Sequence, residues 1–139
     1  MNIRGLMFDP YNNSYIVLLR GEDTQETLPI WVGKPEASAI SFALEGLSTP
    51  RPMTHDLMKI LVDSVNAKVL SVNITDLKDN TYYAKVHIAY GDSVFAIDAR
   101  PSDAIAFAIR AEAPIFASDD VIQKHDAEEV DRWLENLKP

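Results

Sequence analysis

The sequence predicts an α+β fold: a single domain over residues 1–139 in which helices pack against a mixed, largely antiparallel sheet. Three observations lead there. Residues 68–99 carry three successive extended patterns, Lys68 to Asp76, Thr81 to Tyr90 and Ser93 to Ala99, separated by the turn formers Asp79-Asn80 and Gly91-Asp92. Helical patterns, alanine-rich or striped with apolar residues, begin near Lys34, Thr54 and Pro101 and alternate with the strands. With 139 residues, 47% apolar and 24% charged, the chain is long enough to bury one core and too apolar to remain disordered.

Taken in order, Ile3, Leu6 and Phe8 begin an extended segment that stops at the turn cluster Asp9-Pro10-Tyr11-Asn12-Asn13. Tyr15-Ile16-Val17-Leu18-Leu19 is an unbroken apolar run, which predicts a strand covered on both faces. After Gly21-Glu22-Asp23 comes a third strand, Thr27 to Val32, where Pro29 cannot donate to a ladder and so marks an edge, an end or a bulge. Gly33-Lys34-Pro35-Glu36 opens a helix through Ala37, Ala39, Ile40, Ala43 and Leu44, with Gly46 as its stop. Pro50-Arg51-Pro52 is a stiff connector, and Thr54 is the expected N-cap of a helix striped with Leu57, Met58, Leu61, Val62 and Val65.

In the strands that follow, Leu70, Val72 and Ile74 share one face, as do Tyr82, Ala84, Val86 and Ile88. Val94-Phe95-Ala96-Ile97 reads as a buried strand running directly into a helix that starts at Pro101 and carries Ile105, Phe107, Ala108 and Ile109. Pro114 to Ala117 is a short strand, and Ser118 is placed to cap a helix from Asp119. Asp126 and Glu129 form an Asp-x-x-Glu capping box for a C-terminal helix at about 127–137, whose apolar face is Val130, Trp133, Leu134 and Leu137. Trp31 and Trp133 read as packing anchors, and His87 and His125 as surface histidines.

Ile30 to Ala39 and Ile97 to Ala106 align without gaps, with Glu36 opposite Asp103 and Ala37 opposite Ala104. A duplicated strand-to-helix unit and shared local chemistry both account for this echo.

Composition narrows function. The net charge of −8 leaves no broad basic surface for nucleic acid or anionic membranes, so a polyanion would need a local basic patch or a metal ion. The absence of cysteine excludes disulfides, thiolate catalysis and cysteine-ligated metals. No run approaches the roughly 20 apolar residues of a membrane span, and Met1-Asn2-Ile3-Arg4-Gly5 lacks a signal-peptide core, so a cytoplasmic protein without membrane association is expected. There is no Gly-rich phosphate loop, His-Glu-x-x-His, Gly-x-Ser-x-Gly or RNA-binding aromatic motif.

Three segments carry the chemistry: Leu28-Pro29-Ile30-Trp31-Val32-Gly33 with Glu36-Ala37, Arg51-Pro52-Met53-Thr54-His55-Asp56-Leu57, and Asp98-Ala99-Arg100-Pro101-Ser102-Asp103-Ala104-Ile105-Ala106 with Arg110. In this order and at these separations they resemble the bifunctional nuclease domain family, over nearly the whole chain to about Val121. The resemblance implies a single α+β domain that self-associates, with a homodimer as the first expectation. It also implies nuclease activity towards RNA and DNA, the activity reported for plant members.

On that resemblance, the polar residues of the three segments are the site. His55 is the general acid or base, with Asp98 and Asp103 beside it as catalytic carboxylates. Lys34, Arg51 and Arg100, together with Thr54 and Ser102, would bind the phosphodiester at helix N-termini. Glu36, Asp56 and Asp98 would hold a divalent cation, Mg²⁺ or Mn²⁺, with Asp103 near.

Purely structural roles suit the same residues. Carboxylates in a first helical turn are favoured by about 0.3–1 kcal/mol through the helix dipole alone, which covers Glu36, Asp56 and Asp103. Asp98 and Arg100 can form a structural pair, or pair with Arg51, and His55 can be a solvated or capping residue. The competing function is a non-enzymatic oligomeric module that binds a small anion or a protein partner.

Overall fold

The structure, a computed structural model, describes residues 1–24, 26–79 and 81–122. The expected C-terminal helix at 127–137, with Trp133 and His125, lies outside them. The order is β1 (Asn2–Asp9), β2 (Ser14–Arg20), β3 (Thr27–Val32), α1 (Lys34–Leu44), α2 (Thr54–Ser64), β4 (Lys68–Lys78), β5 (Thr81–Tyr90), β6 (Ser93–Ala99), α3 (Pro101–Ala111) and β7 (Ile115–Ala117). The α+β prediction holds, with strands in two sheets instead of one. β1-β2-β3 form an antiparallel meander; β6-β5-β4-β7 form a second sheet in which β7 alone runs parallel to its neighbour. Strands joined by short turns pair with each other first, and two consecutive helices between β3 and β4 separate the two sets.

α3 is the hub. It packs on α1, α2, β3, β4 and β5, and Ala104, Ile105, Ala106, Phe107 and Ala108 are all buried. Alanines on α3, and Ala37 and Ala39 on α1, let backbones approach closely, which is why this helix reads as apolar all round. From the second sheet, Val69, Val72, Ile74 and Leu77 of β4 and Ala84 and Val86 of β5 face it. β2 buries both Ile16 and Val17, adjacent residues on opposite faces, as its unbroken apolar run implies. Pro29 sits on an edge strand, and Gly46 ends α1's turn at φ +64°.

Two expectations are corrected. Val94-Phe95-Ala96-Ile97 is not buried: every residue of β6 before Ala99 is exposed, Phe95 by 50% and Ile97 by 48%. β6 is the outer strand of its sheet, and α3 covers β4 and β5, so the apolar run loses its cover. Thr54 is not an N-cap but the first helical residue; Met53 precedes the helix, and the Asp56 carboxylate accepts the Met53 N–H at 2.9 Å. Trp31 does anchor: its Nε1 donates to Asp9 Oδ2 at 3.1 Å across the first turn. Burial pushes the Asp9 carboxyl up, but bonds from Asn12, Trp31 and the Tyr11 N–H outweigh it and hold the group below its usual value.

Candidate anion site at three helix N-termini

Helices α1, α2 and α3 begin alike. An extended residue, Gly33, Met53 or Arg100, precedes each, and the third helical position carries a carboxylate: Glu36, Asp56 and Asp103. Negative charge there meets the free N–H groups and positive end of each helix dipole. What local sequence does not contain is that the three ends meet.

Arg100 is the knot. Its Nε donates to Asp103 Oδ2 at 2.9 Å, its Nη2 to Asp103 Oδ1 at 3.2 Å, and its Nη1 reaches Glu36 Oε1 at 3.2 Å. Asp103 Oδ1 lies 2.9 Å from His55 Nε2, which ties in α2. A second clasp joins α2 and α3, where Arg110 Nε donates to Asp56 Oδ1 at 2.6 Å and Arg110 Nη1 to the Ala106 carbonyl at 3.0 Å. The Arg100 guanidinium holds the Asp103 carboxyl below its ordinary range, with the His55 bond adding to it against burial; Asp103 in turn raises Arg100. Asp56 is lowered by the Met53 N–H and by Arg110. In the internal echo Gly33 aligns with Arg100 and Glu36 with Asp103, so matching positions of the two units clasp one guanidinium.

Access differs sharply. The Arg100 side chain is 64% exposed, and Glu36 and Asp103 are partly exposed. Lys34, Arg51 and Thr54 are exposed beside the α1 and α2 starts; Lys34 and Arg51 bear no ion pair among the described residues. His55 is buried, not solvated: Nε2 is spent on Asp103, and Nδ1 is buried with no partner. Ser102 is also buried. Asp98 stands on exposed β6 opposite Lys85, and the Asp98–Arg100 and Asp98–Arg51 pairs do not form.

Glu36, Asp56 and Asp98 do not converge, and among the described residues no group of three or more His, Asp or Glu makes a metal cage. Glu36 and Asp103 are the candidate carboxylates that do come together. Glu36 Oε2 is buried without a partner, and the carboxylates of Glu36 and Asp103 already share one cation, the guanidinium. A hollow of about 410 Å³ lies elsewhere, lined by Ile3, Leu44, Ile109, Glu112 and Phe116 among others and by none of the candidate residues. Arg110 is the functional-segment residue whose role the sequence hides. A basic residue in a last helical turn reads as a partner for the dipole, and nothing local shows that it is buried against α2.

The bifunctional nuclease domain pattern matches residues 17–129. An uncharacterized protein of Mycobacterium tuberculosis is 34% identical over 122 residues, covering 88% of this chain and 73% of its own length. Bifunctional nuclease 2 of Arabidopsis thaliana is 31% identical over 106 residues, and bifunctional nuclease 1 of Oryza sativa subsp. indica 29% identical over 105. The aligned region is 74% and 73% of this chain but only 32% of either plant protein. The match over residues 17–129, with a relative 34% identical across most of both chains, places this chain in the bifunctional nuclease domain family.

Proposed function

We propose that the protein is a nuclease that cleaves phosphodiester bonds of RNA or DNA, with the scissile phosphate seated over Arg100. One observation carries the reading: an exposed guanidinium, pre-aimed by two carboxylates, sits where three helix N-termini converge. Lys34 and Arg51 add exposed positive charge beside two of those ends. An incoming phosphate exchanges with Glu36 for the Nη1 edge, which frees a carboxylate to take a proton from water. The water oxygen bonds phosphorus as the P–O bond to the leaving strand breaks, and the leaving oxygen is protonated by the same carboxyl or by solvent. Asp103 keeps Arg100 oriented, and His55 acts through Asp103 as a positioning residue. A divalent cation, Mg²⁺ or Mn²⁺, would take Glu36 as its ligand in place of that proton-accepting role and would neutralise phosphate charge, with Asp103 left on Arg100 and His55.

A second reading rests on a different observation. The carboxylates of the knot are all engaged in ion pairs, as in a structural corner, which favours a non-enzymatic module that binds a small anion or a protein partner. Highly purified protein on labelled RNA and single-stranded DNA, with and without EDTA, separates the two. Cleavage that Arg100→Ala abolishes supports the nuclease; cleavage unchanged by Arg100→Ala, or none, leaves the module.

Self-association, as a homodimer, is proposed to use the exposed β6 edge, whose unpaired N–H and C=O groups and apolar Val94, Phe95 and Ile97 invite a second strand. Among the described residues no helix is long and apolar enough to cross a membrane, and a cytoplasmic location is proposed with that.

A further inference from the structure

We propose that the outer face of the β6-β5-β4-β7 sheet is a platform for single-stranded nucleic acid, leading substrate to the Arg100 knot. Residues paired across a ladder share a face, so the register defines it. Asp76 is paired with Tyr83 and Lys78 with Thr81; Asn73 is paired with Lys85 and Phe116, and Lys85 in turn with Asp98; Ser71 is paired with His87, and His87 with Ala96; Lys68 is paired with Ala89, and Ala89 with Val94. None of these residues is buried, whereas the opposite face carries Val72, Ile74, Ala84 and Val86 against α3. Among the described residues no helix packs on the outer face.

Two features give that face its partner. The first is charge: Lys68, Lys78 and Lys85 against Asp76 and Asp98 leave one net positive charge on a chain whose total is −8. Against the overall field, the three lysines give phosphates local points of attachment. The second is a pair of exposed aromatic rings, Tyr83 at 42% and Phe116 at 51%, on strands second-neighbour to each other. Lys78 Nζ stands 5.7 Å from the Tyr83 ring centre, a cation held beside a stacking surface. Asn73 stands in the same row as Phe116 and His87 in the next row, adding polar groups beside that ring, with Asn73 Nδ2 on Ser71 Oγ at 2.9 Å. Open sheet faces bearing aromatics and lysines stack unpaired bases and leave the backbone to the cations, which selects single strands over duplex. The face ends next to the site in the chain, since Asp98 is two residues before Arg100.

The inference takes its substrate class from the nuclease reading, but binding is measured without cleavage. Fluorescence anisotropy of a labelled oligouridine and an oligothymidine, with a matching duplex as control, is run on the full chain with Tyr83→Ala, Phe116→Ala, Lys85→Gln and Arg100→Ala. Each aromatic variant is expected to weaken single-strand binding about ten-fold, as for loss of one stacked base. Lys85→Gln should lower the slope of log K against log salt by about 0.7, a change no packing defect produces. Arg100→Ala should cut turnover by about a hundred-fold and remove one phosphate contact, lowering the salt slope by about 0.7, while the loss of affinity from either aromatic variant still adds to it. Single-strand binding untouched by all three platform variants overturns the platform and leaves the nuclease standing; loss of cleavage in Arg100→Ala alone still supports it. Platform variants that change particle size in light scattering while binding is unchanged make this face an interface between copies and also overturn the proposal. Circular dichroism confirms folding, and Lys85→Gln, fully on the surface, keeps the test valid if an aromatic variant unfolds.

Discussion

His55 and Asp103, 48 residues apart in sequence, meet at 2.9 Å, and that contact uses the imidazole nitrogen that lies nearest the knot. With Asp103 held ionised by Arg100, Nε2 is the donor, and Nδ1 has no route to solvent. On the proposed reading, the histidine that sequence chemistry marks as acid or base braces a carboxylate.

This gives a first prediction. His55→Gln, whose amide can still donate to Asp103, should retain nuclease activity within several-fold, whereas His55→Ala should lose it together with stability. A buried hydrogen bond to a charged group is worth about 1.5–3 kcal/mol, so His55→Ala should show a clear drop in urea midpoint. Inactive but stably folded His55→Gln would restore the acid–base role.

Arg100 should separate activity from stability. Its side chain is 64% exposed, so the ion pairs with Glu36 and Asp103 are screened and contribute at most about 1 kcal/mol. Arg100→Ala should melt close to the unaltered protein yet cut turnover by about a hundred-fold, the effect of losing one oriented donor to developing negative charge. Arg100→Lys should recover little, because an ammonium cannot span Asp103 and Glu36 as the guanidinium does.

The Asp56–Arg110 clasp should behave asymmetrically. Arg110 is 8% exposed and Asp56 37%. Asp56→Ala strands a buried guanidinium and removes the bond to the Met53 N–H, a loss of about 3 kcal/mol. Arg110→Met leaves a carboxylate that water can reach and an apolar stem in the arginine's place, a loss nearer about 1 kcal/mol. Chemical denaturation of the two variants ranks them; the reverse order would mean that the carboxylate is the more deeply desolvated partner.

Acid should find the same groups. Asp56 and Asp103 titrate below the 3.8 of an unperturbed aspartate, so on acidification the unfolded chain takes up protons first. Their stabilisation is complete above about pH 5 and is lost as pH falls through 4 towards the depressed folded values. Stability measured from pH 7 to 3 should be flat and then fall, and Asp103→Asn should flatten the falling limb while lowering the plateau. An unchanged limb in Asp103→Asn would place acid sensitivity elsewhere, with Asp9 the next candidate.

What the sequence alone determined is everything that depends on neighbours within about one helical turn or one hairpin. Alternation in 81–90, the stop at Gly46 and the placing of Glu36, Asp56 and Asp103 in first helical turns are set by periodicity, backbone freedom and the helix dipole. The bifunctional nuclease resemblance was also legible, because its three segments are those local junctions. Tertiary structure alone decided which arginine serves which carboxylate. Arg100 reaches Glu36 across 64 residues and Arg110 reaches Asp56 across 54, and no spacing rule spans such distances. It also decided that apolar β6 would stand at an edge, that His55 would be buried and that Asp98 would stay apart from the knot. Residue type sets what a side chain can bond to; burial and partner are properties of the surfaces that other segments bring to it.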